Sequence, residues 1–160
     1  AISVALANRP NPANRPVKFI VVDCVAGRLA AMKAIHQQLD TTIDFDYILN
    51  SNPALNDALM AGLPPGSLVI NATGMGKDRP GSPVTGAARW PEDGLVWELN
   101  YRGELDFLHQ ARQQQRLTIE DGWVYFLHGW TQVIAEVFDF SLDPELFAKL
   151  DDAASALRPG

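Results

Sequence analysis

The sequence has little of what marks several classes of protein. Cys24 is the one cysteine in 160 residues, so the chain can form no internal disulfide and no cysteine-based zinc site, and we predict that Cys24 is a small core residue. The three histidines have no metal-ligand spacing. No apolar run approaches the roughly 20 residues of a membrane-spanning helix. We therefore expect a cytoplasmic protein with no bound metal and no membrane partner.

Positive charge is also scarce. The 13 lysines and arginines are outnumbered by 19 aspartates and glutamates, which gives a net charge of −6. That balance disfavours nucleic acid and anionic membranes as partners. Hydrophobic residues make up 47% of the chain, an ordinary share for a globular domain with its own core.

Strand-like and helix-like segments alternate along the chain. Runs rich in β-branched and aromatic residues predict strands, and apolar residues at helical spacing predict helices. The predicted strands are 17–23, 45–50, 67–73, 94–100 and 117–122, and the predicted helices are 26–39, 54–63, 104–115, 122–138 and 143–157. This alternation predicts a parallel sheet with helices on both faces. His36 falls on the polar side of its helix and is predicted to be solvated.

The glycine-rich phosphate loop G-x-G-x-x-G does not occur in the sequence. The first predicted strand nevertheless ends in Asp23, which is either a solvated strand end or the acidic residue that accepts hydrogen bonds from an adenosine ribose. That residue follows the glycine loop by about 20 positions, so the loop would lie at or before Ala1. We expect a Rossmann-like doubly wound sheet that lacks its first strand and glycine-rich loop in this chain.

A second strand end carries polar residues. The stretch "VINATGMGKDRPGSPVTG" passes at Asn71 from a buried strand into a long loop, the place where open α/β sheets bind ligands. Lys77 and Arg79 in this loop belong either to a flexible solvated segment or to a flap that meets a cofactor phosphate or an acidic substrate. We predict that Asp23 and this strand end line one crevice, wide enough for an adenine dinucleotide.

Four segments together resemble the shikimate dehydrogenase family. They are, in chain order, "VVDCVAGRLAAM", "INATGMG", "VWELNYRGELDFLHQA" and "EDGWVYFLHGWTQVIAEVF". The resemblance implies an NAD(P)-binding Rossmann-like domain over residues 1–140, followed by a C-terminal helix and tail over 141–160. It also implies NAD(P)-dependent oxidation or reduction of shikimate, quinate or a related cyclic hydroxy acid.

The resemblance also implies site residues. Those on the cofactor side are Asp23, Arg28, Asn71, Ala72, Thr73, Gly74, Gly122 and Tyr125. Tyr101 matches the tyrosine that reaches the substrate. The family's substrate-binding glutamine aligns with Gly129, so His128 or Gln132 is expected to replace it. Lys77 and Tyr125 each stand where the family usually has methionine.

The family's catalytic lysine and aspartate belong to an N-terminal substrate domain. The resemblance therefore implies no catalytic residue in this chain, which we expect to be inactive alone and to have that domain, or a fragment of it, as a partner. For the cofactor, Asp23 would repel the 2′-phosphate of NADP, whereas Arg28 would attract it. We predict a preference for NAD, although the family mostly uses NADP.

Two other interpretations stay open. The chain could be a non-catalytic nucleotide-binding or interaction module of the same fold, or a doubly wound protein of another purpose with a fortuitous Asn-Ala-Thr. The leucines of 143–157 fit packing on a substrate domain or on a second subunit, so a homodimer is possible.

Overall fold

The computed structural model of the protein describes residues 1–158. The chain is a mixed α/β protein with two short parallel sheets and helices. It divides into two compact units, Ala1–Asn52 and the residues from Pro53 onward, and each unit is treated by itself.

The first unit contains a two-stranded parallel sheet. Helix α1 (Ile2–Ala7) and a 3-10 turn (Pro12–Asn14) precede β1 (Lys18–Asp23), α2 (Ala26–His36) and β2 (Asp44–Leu49). The strands pair in register from Lys18 opposite Asp44 to Asp23 opposite Leu49. The apolar residues of β1 and the helical spacing of α2 produce a βαβ unit, because parallel neighbours need a crossover helix.

An aromatic cluster surrounds His36 in the first unit, so the prediction that His36 is solvated is wrong. His36 is 5% exposed rather than solvated. Its ring stacks on Phe45 with centroids 4.1 Å apart and lies 6.4 Å from Phe19. Its two nitrogens bond the hydroxyls of Ser3 at 2.7 Å and Tyr47 at 2.8 Å. The histidine is buried because hydroxyl partners satisfy both ring nitrogens, which helical spacing alone does not reveal.

The second unit contains a three-stranded parallel sheet in the order β3-β4-β5. Its elements are α3 (Pro53–Ala61), β3 (Leu68–Asn71), β4 (Leu95–Glu98), α4 (Asp106–Arg112), β5 (Thr118–Glu120), α5 (Trp123–Val137) and α6 (Pro144–Ser155). The core combines β4 with α3, α4 and the long loop after β3, through Met60, Val84, Ala88, Val96, Phe107 and Ala111. Asp57 on α3 fixes that loop by accepting hydrogen bonds from the amide and hydroxyl of Thr85 at 2.9 and 2.5 Å.

The predicted alternation of strands and helices is confirmed. Every predicted strand and helix is present, most of them one to three residues shorter at an end. Cys24 is exposed, so its predicted place in the core is wrong. It follows Asp23 directly, where the chain leaves the sheet. In residues 1–158 no helix is long and apolar enough to cross a membrane, and no three or more histidine, cysteine or acidic side chains form a group that could hold a metal ion.

Candidate functional site

A buried carboxylate organises the carboxyl ends of β3 and β4. Asn71 and Glu98 are register partners at those two ends, and both are fully buried. Glu98 Oε2 accepts a hydrogen bond from Asn71 Nδ2 at 2.7 Å. Glu98 Oε1 accepts two more from Asn100, from its backbone amide at 2.8 Å and its Nδ2 at 2.7 Å. The carboxylate therefore joins the two strand ends into one polar cluster.

Burial governs the ionisation of Glu98. Removal from water raises its pKa above the ordinary value of 4.5, and the three N–H donors of Asn100 and Asn71 oppose that rise without cancelling it. Sequence reasoning missed this residue. The available signal was an acidic residue inside the otherwise apolar run "GLVWEL", which should not tolerate a charge without partners.

The same cluster fixes the start of the loop after β3. Asn71 Oδ1 accepts hydrogen bonds from the amide and hydroxyl of Thr73 at 3.0 and 2.7 Å, and Asn100 Nδ2 donates to the carbonyl of Met75 at 3.1 Å. The amide group of Asn71 is thus fully engaged within the chain. Ala72 and Thr73 are exposed, so a ligand here would meet these two residues and not the Asn71 side chain.

Glycines with positive φ let the loop turn tightly. Gly74 and Gly76 have φ of +72° and +86°, and Gly103 has φ of +103°. A Cβ on Gly103 would lie 2.2 Å from the carbonyl oxygen of Gly76, so the two segments are in backbone contact. Gly74, a predicted cofactor residue, has this conformational role whether or not a ligand is bound.

A cavity of about 450 Å³ lies beside this loop, within the second unit. It is bounded by Lys77, by the residues that follow β4 and by one face of α5. The lining residues are Lys77, Leu99, Tyr101, Tyr125, Phe126, Gly129, Trp130 and Val133. Two residues predicted from the sequence, Tyr101 and Tyr125, are therefore brought together. Phe126 and Trp130 were not predicted, although they continue the helical spacing from Trp123.

Tyr101 lines the cavity together with Phe126 and Lys77. Its ring stacks on Phe126 with centroids 4.0 Å apart. Lys77 Nζ lies 5.6 Å and the Arg102 guanidinium 5.8 Å from the same ring. Asp78, whose Oδ2 lies 3.6 Å from Lys77 Nζ, opposes this positive charge in part. Two cations around one aromatic ring make this wall attractive to an anion.

Gly122 is the N-cap residue of α5 and lies against Leu99, which lines the cavity. A Cβ at this position would lie 2.1 Å from the carbonyl oxygen of Leu99, and the Gly122 amide donates to the Asn100 carbonyl at 3.1 Å. The predicted cofactor glycine is therefore required for backbone packing. Tyr125, one turn further, places its ring edge-on against Trp97 at 5.6 Å.

The two expected replacements for the family's glutamine lie away from the cavity lining. The His128 ring stacks on Phe147 of α6 with centroids 4.2 Å apart. Gln132 is exposed, and its Nε2 donates to Glu136 at 3.2 Å. Gly129, between them, does line the cavity.

The predicted ribose-binding residues belong to the first unit. Asp23 ends β1, where its Oδ1 accepts the Val25 amide at 2.8 Å and its Oδ2 lies 3.2 Å from Arg28 Nε. The carboxylate and the guanidinium therefore form an ion pair at the carboxyl end of the strand. That they share a crevice with the ends of β3 and β4 stays a prediction.

Comparisons with protein-family models, with curated proteins and with solved structures found no match.

Proposed function

We propose that this chain is the NAD(P)-binding domain of an oxidoreductase that resembles the shikimate dehydrogenases and acts on a cyclic hydroxy acid. The observation that carries the proposal is the Asp23–Arg28 pair at the carboxyl end of a parallel strand. An acidic residue at such a strand end is what a dinucleotide fold uses to accept hydrogen bonds from the adenosine ribose. Further support comes from the cavity around Tyr101, where the resemblance puts the substrate and the nicotinamide.

The finer fold that we propose is a Rossmann-like doubly wound sheet. Among the described strands, β1 pairs only with β2, and β3 only with β4. In the classic doubly wound order, one central strand separates a pair of strands from a set of three. The two sheets have those sizes and are both parallel. An additional strand alongside β1 would satisfy backbone groups that an apolar strand edge otherwise leaves without partners.

The cofactor that we propose is NAD. Asp23 keeps lone pairs free for ribose hydroxyls after bonding Val25 and Arg28. Arg28 reduces but does not remove the repulsion that its carboxylate partner would exert on a 2′-phosphate. Proton transfer is assigned to a separate substrate domain, so the chain alone should not oxidise shikimate or quinate.

Titration with NADH and NADPH tests the proposal. Saturation-transfer difference NMR detects even weak binding by the purified chain. We expect Asp23→Asn to weaken NADH about tenfold, because charge-assisted hydrogen bonds are lost, and to narrow the gap to NADPH. Asp44→Asn, at the opposite end of the same sheet, is the matched control. Failure of both dinucleotides to bind at millimolar concentration, or equal effects of the two substitutions, would contradict it.

A non-catalytic binding module of the same fold is the second candidate. Gly129 at the glutamine position favours it, because neither His128 nor Gln132 supplies the missing polar group to the cavity. Activity separates the two candidates. Oxidoreductase turnover by the chain combined with a substrate domain would support the enzyme, and dinucleotide binding without turnover would support the module.

A further inference from the structure

The cavity beside Tyr101 has walls that suit a flat apolar ring. Leu99, Phe126, Trp130 and Val133 supply aliphatic and aromatic surface. The side-chain polar atoms among its lining residues are the Lys77 amine, two phenol hydroxyls and the Trp130 indole nitrogen. A ligand with many hydroxyls would leave most of them without partners there, at a cost in affinity for each. A ring that stacks on Tyr101 and Phe126 would not have that cost.

The charge at the cavity favours an anion. The Lys77 side chain is 25% exposed, and its amine lies within reach of both the cavity and the Tyr101 ring. Arg102 places a second positive charge against the same ring, and Asp78 pairs with Lys77 at 3.6 Å. A carboxylate would gain a charge-assisted hydrogen bond from Lys77.

Gly129 leaves space on the α5 side. It sits in the interior of a helix, where glycine is less favourable than alanine. A Cβ there would meet nothing within 4 Å, so no packing contact in the described chain requires glycine. The room beside the helix backbone is open to a ligand ring.

We propose that this cavity binds a carboxylate with a flat, largely apolar ring, held by Lys77 at its charge and by the aromatic wall at its ring. For the proposed function, this narrows the substrate to a ring carboxylate with a single oxidisable hydroxyl, and it rests on that function only in treating the ligand as the substrate. A cavity of this kind differs from a site that binds a polyhydroxylated ring, which would need many more polar partners.

Three probes of matched size or charge test the proposal on the purified chain. They are 2-naphthoate, its neutral analogue 2-naphthamide, and quinate, an anion with several hydroxyls. Binding is followed through ligand-induced shifts of backbone amides in ¹H–¹⁵N NMR spectra. We expect 2-naphthoate to bind at least tenfold more tightly than either other probe, with the largest shifts at Tyr101 and Gly129.

Variants assign the contacts. Lys77→Met should weaken 2-naphthoate about tenfold and leave 2-naphthamide unchanged, since one charge-assisted hydrogen bond is lost. Lys149→Met removes an exposed lysine that pairs with Glu145 on α6, and should change neither probe. Gly129→Gln should weaken 2-naphthoate by filling the open space.

Several results would overturn the proposal. These are tighter binding of quinate than of 2-naphthoate, equal binding of 2-naphthoate and 2-naphthamide by the unmodified chain, or shifts confined to residues outside the cavity. The comparison of acid and amide needs no variant, so it holds even if a substitution disturbs folding. Dinucleotide binding is measured separately and is expected to depend on Asp23. Naphthoate binding without dinucleotide binding would contradict only the proposed function. Dinucleotide binding without naphthoate binding would contradict only the proposed ligand class.

Discussion

The two units of the chain bury ionisable side chains of opposite kind. Among the described residues, the first unit buries His36 and the second buries Glu98. Burial lowers the pKa of His36 below 6.5 and raises that of Glu98 above 4.5, so in both cases it favours the neutral form. His36 is held by two hydroxyls and packs on aromatic rings. Glu98 has three N–H donors and lies at the carboxyl ends of two strands.

The difference between the His36 and Glu98 clusters favours the second unit as the place of a binding site. The His36 cluster satisfies its polar groups locally and stabilises the core of the first unit. The Glu98 cluster instead positions two chain segments, the loop after β3 and the residues leading to Tyr101, that border a cavity. Ligands of open α/β sheets bind just outside the carboxyl ends of the strands, which is where the Glu98 cluster holds these two segments.

The largest predicted effect concerns Gly122 in the second unit. Gly122→Ala would place a Cβ about 2.1 Å from the Leu99 carbonyl oxygen, so backbone must move. We expect a loss of about 3 kcal/mol in the free energy of unfolding. Urea denaturation followed by tryptophan fluorescence measures it, because Trp90, Trp97, Trp123 and Trp130 all lie in this unit. Gly86→Ala, where a Cβ meets nothing within 4 Å, is the control. Similar stability of the two variants would contradict the close approach.

The next effect concerns Glu98. Glu98→Gln turns one acceptor into a donor facing Asn71 or Asn100, and should cost about 2 kcal/mol at neutral pH. Because the folded pKa is raised, the folded state binds the proton more tightly than the unfolded state. The contribution of Glu98 to stability is therefore fully present below pH 4.5 and is lost as pH rises through the folded pKa.

The stability gap between the wild type and Glu98→Gln should therefore widen as pH falls from 7 toward 4.5. Tryptophan-detected urea denaturation at several pH values measures it. Glu120→Gln removes an exposed carboxylate at the end of β5 and should show no such trend. A gap that narrows on acidification would mean that Glu98 is stabilised as the anion.

The sequence predicted the elements better than the contacts between them. Apolar spacing identified β1, α2 and α5 because that pattern is local. The Asn71–Glu98 pair depends on the register between strands 27 residues apart in sequence, which no local pattern specifies. His36 was misplaced for the same reason, since its partners Ser3 and Tyr47 lie on other elements.

The candidate site was predictable only in part. Tyr101, Tyr125 and Lys77 were singled out from the sequence, and they meet at one cavity. The roles of Gly122 and Gly129 were not predictable. Gly122 has no room for a Cβ, whereas a Cβ on Gly129 would meet nothing within 4 Å. Only the packing around each backbone distinguishes the two glycines.

The smallest predicted effect concerns His36 and has the opposite pH dependence. His36→Phe keeps the ring stacked on Phe45 but leaves the hydroxyls of Ser3 and Tyr47 without their nitrogen partners, at a cost of about 1 kcal/mol near pH 7. Below pH 6.5 the unfolded wild type takes up a proton that folded His36 resists, so the wild type loses stability as pH falls toward the lowered folded pKa.

The gap between the wild type and His36→Phe should therefore narrow on acidification, whereas the Glu98→Gln gap widens. Hydrogen exchange of peptides from β1 and β2 reports on the first unit, which contains no tryptophan. His109→Phe replaces an exposed histidine on α4, so this variant should lose stability on acidification as the wild type does. If His36→Phe did the same, the pKa of His36 would not be lowered by folding, and the contrast between the two buried groups would disappear.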